Sequence, residues 1–184
     1  MGDTLYTRRV VPRFSGAQTG RGCALTGRNR LTKAFGLTGE EAWLRHANPW
    51  SVYTRIPIPL LLTAAIWTRA WIGWWSLLPV AAVGAWIMVN PRVFPPPQAI
   101  TSWASRSVLG EKYWSARKEI TIPERHTMAP LVLSAISSAG VPFWAWGLIV
   151  LDPWITAFGL AVQMLGKLWF LDRMALLYDE VVTS

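Results

Sequence analysis

The residue types that most often do chemistry in proteins are few in this chain, and they are scattered along it. There are two histidines, His46 and His126, and one cysteine, Cys23. A Ser–His–Asp set can be assembled from Ser51, His46 and Asp172, but nothing in their spacing selects it. The sequence contains neither a Cys/His cluster with zinc spacing nor a Gly-rich phosphate loop. It therefore predicts no catalytic residues, no metal and no cofactor.

The densest group of unusual residues is the segment at 46–55, which reads HANPWSVYTR. One interpretation is a site for a lipid or quinone head group, in which Arg55 contacts the anion. The simpler interpretation is a structured start to a membrane span. In that case Asn48 and Pro49 turn the chain, Trp50 anchors it at the interface, and Arg55 meets lipid phosphates.

Composition places the chain in a membrane. Hydrophobic residues make up 52% and charged residues only 15%, whereas soluble domains carry about 25% charged residues. The 13 tryptophans fit the bilayer interface, because indole has an apolar ring and one polar N–H. The net charge of +8 lies beside apolar stretches. Acidic head groups or acidic partner proteins therefore explain it better than nucleic acid does.

Four stretches have the length and composition of membrane spans, at about residues 53–69, 71–90, 128–150 and 153–171. Arg69 is the only charged residue between the uncharged runs 56–68 and 70–89, and Asp152 is the only one between the uncharged runs 130–151 and 153–166. We therefore predict an all-α integral membrane bundle of four transmembrane helices, arranged as two hairpins within a domain spanning 35–178. Arg69 and Lys167 would reach the interface by snorkelling. A re-entrant or interfacial segment is the alternative for the first span.

Small residues on the third and fourth spans permit close helix contact. They are Ala135, Ser138, Ala139 and Gly140 on the third span, and Gly159, Ala161 and Gly166 on the fourth. In the central loop, Thr101 or Ser102 can cap a helix that runs to about residue 118. With Trp103 and Trp114 on its membrane side, this would be an amphipathic interfacial helix.

The distribution of basic residues predicts the orientation. Residues 1–55 hold nine Lys and Arg against three acids, and residues 91–129 hold six against three. By the positive-inside rule, the N-terminus, the central loop and the C-terminus share the cytoplasmic or matrix side. Basic residues there are candidate contacts for anionic phospholipids such as cardiolipin. The candidates are Arg55, Arg92, Arg106, Lys112, Arg117, Lys118 and Lys167.

Two terminal segments flank the predicted membrane domain. Residues 1–34 form a basic, Gly-rich extension whose composition is similar to an organellar transit peptide. Residues 179–184 form a short C-terminal tail.

Four segments resemble the signature segments of a small uncharacterised integral-membrane family found mostly in bacteria. They read HANPWSVYTR at 46–55, NPR at 90–92, VLGEK at 108–112 and GKLWFLDRM at 166–174. The resemblance covers roughly residues 35–178. It implies a multi-pass membrane protein without an established activity, so it assigns no catalytic residues.

A basic extension ahead of a bacterial-type core suggests a protein recruited into an organelle. We therefore expect a non-catalytic accessory subunit of an energy-transducing membrane complex, of the respiratory-chain or ATP synthase type. The preferred location is the mitochondrial inner membrane, with the bacterial inner membrane or a plastid membrane as alternatives. The expected partners are other membrane subunits and anionic phospholipids, and not nucleic acid. The alternative functions are a stand-alone membrane enzyme, a lipid- or quinone-binding protein, or an accessory subunit of a photosynthetic complex.

Overall fold

The structure is a computed structural model that describes residues 40–118 and 121–183, so the predicted extension 1–34 lies outside the described residues. The described chain is helical. Its elements are α1 (Glu40–His46), α2 (Pro49–Arg55), α3 (Ile58–Trp67), α4 (Arg69–Ile72), a 3-10 turn (Gly73–Ser76), α5 (Leu77–Val93), α6 (Trp103–Ser115), a second 3-10 turn (Glu124–His126), α7 (Met128–Val150) and α8 (Pro153–Thr183).

Among the described residues, three stretches are long and apolar enough to cross a membrane. They are Pro49–Val93, Glu124–Val150 and Pro153–Thr183, in which an apolar window of 18 residues has a mean hydropathy of 1.7, 1.5 and 1.4, respectively. The predicted span 128–150 lies within Glu124–Val150, and the predicted span 153–171 lies within Pro153–Thr183. The predicted spans 53–69 and 71–90 both fall in the first stretch. The described residues therefore form an all-helical structure with membrane-type segments.

The first stretch is not one straight helix. Regular helix is interrupted around Pro57, and again at Gly73, whose φ of 57° is in a region that glycine adopts without a Cβ penalty. Beyond this turn, α5 packs against α3. At its far end, Asn90 is hydrogen bonded to Ser51 and Thr54 of α2.

Among the described helices, α7 and α8 have the most extensive contact. Leu151 takes a left-handed conformation with φ 56°, and Asp152 Oδ1 then accepts a hydrogen bond from the Ile155 N–H (2.8 Å), which caps α8. Glycines let the two backbones approach. A Cβ on Gly159 would lie 2.1 Å from the Trp144 nitrogen, and one on Gly140 would lie 2.6 Å from the Gln163 nitrogen.

The glycines on these spans make the close contact between α7 and α8, whereas the other small residues do not take part in it. Gly140, Gly159 and Gly166 are buried in the α7–α8 contact, together with Gly147, which the sequence did not single out. The remaining small residues are exposed on the outer faces, namely Ala135, Ser138, Ala139 and Ala161. The helix period determines this difference, because only residues on one stripe of each helix face the neighbour.

Helix α6 begins at the predicted cap, where Ser102 Oγ accepts a hydrogen bond from the Ser105 N–H (3.3 Å). It is buried more deeply than an interfacial helix, since seven of its 13 residues are buried. The reason is that α8 continues beyond residue 171 to Thr183, so that the predicted tail is largely helical and α6 packs against it. At 31 residues, α8 is about 46 Å long, which exceeds the ~30 Å hydrocarbon core.

The buried core lies at the end of the molecule formed by α1, α2, α6, the beginning of α7 and the second half of α8. One cluster joins Val52, Val108 and Tyr178, and a second joins Leu133, Phe170 and Met174. The opposite end carries the turns at Gly73 and Asp152. There Arg69 Nη2 donates to the carbonyl oxygens of Leu148 (2.5 Å) and Ile149, which links the two turns.

Candidate functional site

A cavity of about 420 Å³ lies where α1, α2, the start of α3, α6, α7 and α8 meet. Its polar lining comprises His46, Arg55, Glu111, Ser137, Gln163 and Lys167. Its apolar lining comprises Val52, Ile56, Pro59, Val108, Met164, Leu168 and Leu171. The cavity therefore has a charged part and a hydrocarbon part, as a site for an amphiphile requires.

The segment 46–55 is shaped by one asparagine. Asn48 Oδ1 accepts a hydrogen bond from the Trp50 N–H (2.9 Å) and caps α2, while its Nδ2 donates to the carbonyl oxygen of Pro95 (2.8 Å). Pro49 follows at the first helical position, where its missing N–H costs nothing. The structured start predicted for this segment is present, and it positions His46 and Arg55 on the cavity wall.

Arg55 is bonded on several sides. Its Nε donates to the Ser51 carbonyl oxygen (2.9 Å), its Nη2 donates to the His46 carbonyl oxygen (2.8 Å), and its Nη1 contacts His46 Nε2. A guanidinium can only donate hydrogen bonds, so His46 Nε2 is the acceptor. The ring proton of neutral His46 is then on Nδ1.

His46 is neutral over the physiological range. Burial, together with the positive charges of Arg55 and Lys167, lowers the pKa of His46 from 6.5 to about 3. Its Nδ1 is buried and has no hydrogen-bond partner among the described residues. This buried N–H donor is suited to an acceptor atom from outside the chain.

The opposite wall carries a second cation. Lys167 Nζ lies 3.5 Å from Glu111 Oε1 and 4.8 Å from the centroid of the Phe170 ring. Beside it, Gln163 Oε1 is buried without a hydrogen-bond partner among the described residues. Ser137 Oγ donates to the Gln163 carbonyl oxygen (3.0 Å), which connects α7 to this wall.

The structure separates the three residues of the hypothetical Ser–His–Asp set. Ser51 Oγ donates to Asn90 Oδ1 (2.8 Å), whereas Asp172 Oδ1 accepts from Trp103 Nε1 (3.2 Å). His46 is engaged by Arg55 instead. Each of the three therefore serves a different structural contact. Within the described residues, no group of three or more His, Cys, Asp and Glu could bind a metal ion.

The candidate lipid contacts are distributed over several places. Arg55 and Lys167 share the cavity described above. Arg117 and Lys118 line a second cavity of about 370 Å³, in which Arg117 stacks over Trp114 at 4.0 Å. Arg106 is paired with Asp179 (2.7 Å), Arg92 is exposed at the end of α5, and Lys112 is partly buried on α6.

Three cavity or scaffold residues were not singled out as site residues by the sequence. Asn90 is fully buried and holds α5 against α2, Glu111 offsets Lys167, and Gln163 presents its amide beside it. Their roles depend on contacts between distant helices, so no spacing pattern marks them. Segments 46–55 and 90–92 meet at Asn90, and segments 108–112 and 166–174 meet at Glu111 and Lys167.

Of three comparisons with known proteins, one gives a match. A search of curated proteins and a search of solved structures each give no match. A family model matches residues 26–184, which takes in the membrane-type stretches, the cavity and residues 26–34 of the predicted extension. This agrees with the expectation of a family without a known activity. The chain belongs to the family of unknown function DUF6653.

Proposed function

We propose that the protein is a non-catalytic subunit of a larger membrane complex that crosses the bilayer four times as two helical hairpins. The observation that carries the proposal is the low burial of its apolar stretches. Only 6% of the most apolar window of Pro49–Val93 is buried within the protein. So much apolar surface is stable only against hydrocarbon or against neighbouring membrane proteins.

The contacts within Pro49–Val93 support two crossings rather than one. Helix α3 has ten residues, about 15 Å, so it needs α2 before it to cover a ~30 Å hydrocarbon core. Helix α5 returns alongside α3 after the turn at Gly73, and Asn90 is bonded to α2. The Arg69 bond to the end of α7 favours placing both turns on one side of the membrane.

The exposed tryptophans support the same placement. Trp71, Trp74 and Trp154 surround the two turns and are among the most exposed large side chains. Trp50 and Trp169 are exposed near the opposite end of the apolar stretches. Two aromatic layers on either side of a hydrocarbon band are typical of a spanning protein.

The subunit role follows from the lateral surface. The pair formed by α3 and α5 touches α7 at few points, one of them the hydrogen bond from Trp144 Nε1 to Thr63 Oγ1 (2.8 Å). Leu60, Leu61 and Leu78 on this pair are exposed and available to neighbouring helices. The proposed setting is an energy-transducing complex of the mitochondrial inner membrane. Residues 1–34 support it, because their basic, Gly-rich composition is similar to an organellar transit peptide.

Sizing of the native assembly tests this proposal. The tagged full-length protein is extracted from its own membranes in a mild detergent and run on a native gel. We expect it to migrate in a complex much larger than its own 20.6 kDa, and to become monomeric in a harsh detergent. Recovery as a monomer under both conditions would overturn the subunit role.

A lipid- or quinone-binding protein is the second candidate function. The amphiphilic cavity between α1, α2, α3, α6, α7 and α8 specifically favours it. It is compatible with a subunit role, because many membrane subunits bind lipid at the interface.

A further inference from the structure

We propose that the 420 Å³ cavity binds one singly charged acidic head group of a membrane amphiphile, a phosphodiester or a carboxylate, through Arg55 and Lys167. The inference rests on the proposed placement in a membrane, and it adds a defined ligand chemistry to that placement. The occupant is a lipid whose head group carries one negative charge and whose chain lies along the apolar wall.

The charges of the described lining residues support a monoanion. Arg55 and Lys167 are positive, and Glu111 is negative. His46 is neutral, because its Nε2 accepts from Arg55 and its burial opposes a charge. The cavity thus has one net positive charge in a partly buried setting, where an unpaired charge is costly and an anion offsets it.

The hydrogen-bond donors support an oxygen anion. Arg55 has five N–H groups, three of which are engaged by His46 and Ser51, so two are left to donate. The buried Nδ1–H of His46 is a further donor without an acceptor among the described residues. A phosphodiester or a carboxylate supplies several lone pairs in one small group, which matches this set of donors.

The remaining lining identifies the ligand as an amphiphile rather than a free ion. Ile56, Pro59, Met164 and Leu168 give the cavity an apolar wall continuous with the membrane-type stretches. Arg55 lies near the beginning of the first stretch. Lys167 is the first charged residue after the apolar run that follows Asp152. Both cations therefore lie at the level where head groups meet acyl chains.

Binding to the full-length protein in uncharged detergent micelles tests the proposal, with native mass spectrometry as the readout. The probes are phosphatidylglycerol, oleate, phosphatidylcholine, a ubiquinone analogue and inorganic phosphate. We expect phosphatidylglycerol and oleate to bind and to compete with each other. Phosphatidylcholine, the quinone and inorganic phosphate should bind at least tenfold more weakly.

Removing a positive charge from the cavity should lower its affinity for an acidic lipid, and removing its negative charge should raise that affinity. Lys167→Gln should weaken phosphatidylglycerol binding about threefold, because the Lys167 side chain is half exposed and solvent screens its charge. Glu111→Gln should strengthen binding by a similar factor, a result that misfolding cannot produce. Arg55→Gln should weaken binding about tenfold or more, as expected for a charged hydrogen bond. Arg173→Gln is the matched control, since Arg173 is a cation of α8 outside the cavity, and it should change nothing.

The outcomes are distinguishable. Equal binding of the quinone, or weaker binding by Glu111→Gln, would overturn the acidic ligand. Inorganic phosphate binding as tightly as the lipid would show a free-ion site and overturn the amphiphile. If the protein is found outside membranes, the proposed function fails. If it is embedded in them but shows no preference for acidic lipids, only the cavity inference fails.

Discussion

His46 is a residue whose two ring nitrogens have different surroundings. Nε2 is in contact with the Arg55 guanidinium, and Nδ1 is buried without a partner among the described residues. The nearby positive charges of Arg55 and Lys167 oppose a second proton on the ring, and so does burial. The residue therefore acts as a neutral donor fixed by its arginine neighbour.

The lowered pKa of His46 predicts loss of stability in acid. In the unfolded chain the ring takes up a proton as the pH falls below about 6.5, whereas in the folded protein it does so only near 3. The unfolded state therefore binds more protons in this window, and the free energy of unfolding decreases as the pH falls from about 6.5 towards 3. Thermal unfolding of the detergent-solubilised protein should show this decrease, and His46→Gln should reduce it.

Direct titration gives the control for that prediction. NMR signals of the His46 ring should show no titration between about pH 5 and pH 8. A midpoint near 6.5 would contradict the burial and charge environment described for this side chain.

Loss of the Asn90 side chain should also lower the stability of the fold. Its amide joins Ser51 and Thr54, and no part of it is exposed. Asn90→Ala should lower the free energy of unfolding by ~2–3 kcal/mol, since it leaves a buried hydroxyl without its acceptor and opens a small void. Gln98→Ala, at an exposed loop position, is the control and should have little effect. Equal effects of the two changes would contradict the role of Asn90.

At this scale, the sequence identified single residues better than their combinations. Arg55 and Lys167 were selected separately because each is a cation beside an apolar stretch, and the structure brings both to one cavity. Neither Glu111 nor Gln163 is distinguished by spacing, because one is a single acid in the predicted helix of the central loop and the other is a single amide in a predicted span. Their place in the cavity depends on how α6 and α8 pack, which local pattern does not encode.

At the scale of elements, the contact between α7 and α8 is controlled by glycines. Gly159→Ala should destabilise the protein by ~1–3 kcal/mol, because the added Cβ would lie 2.1 Å from the Trp144 nitrogen and force the helices apart. Gly84→Ala in α5 is the matched control. No atom lies within 4 Å of its added Cβ, so the change should be neutral or stabilise by up to ~1 kcal/mol through helix propensity. Unfolding temperatures in one detergent compare the two, and the same loss in both would contradict the packing.

The sequence correctly predicts where a helix begins or turns when a capping residue or a charged residue marks the place. Ser102 caps the first turn of α6, and Asp152 lies in the short turn between α7 and α8. The sequence does not predict the end of α8. Asp172, Arg173 and Asp179 indicate where the chain leaves an apolar environment, but a helix can continue into water when another element packs on it. Contact between α6 and residues 174–178 supplies that packing.

At the scale of the whole molecule, the two ends differ in chemistry. One end contains the buried core, the ion pairs of Arg106 with Asp179 and Arg125 with Glu180, and the cavity. The other contains the two turns, the Arg69 link and exposed tryptophans. The proposal places the first end at the cytoplasmic or matrix face and the second at the opposite face, in accordance with the excess of basic residues in the first.

Cysteine labelling in sealed membrane vesicles tests the central claim, that the chain crosses a bilayer four times with both turns on one side. Cys23 is first replaced by serine, and single cysteines are then introduced as Trp74→Cys, Trp154→Cys and Lys118→Cys, all at exposed positions. With a membrane-impermeant maleimide, we predict that Trp74→Cys and Trp154→Cys are labelled from the same side, and Lys118→Cys only from the other side. Labelling of all three from one side of sealed vesicles would contradict the account.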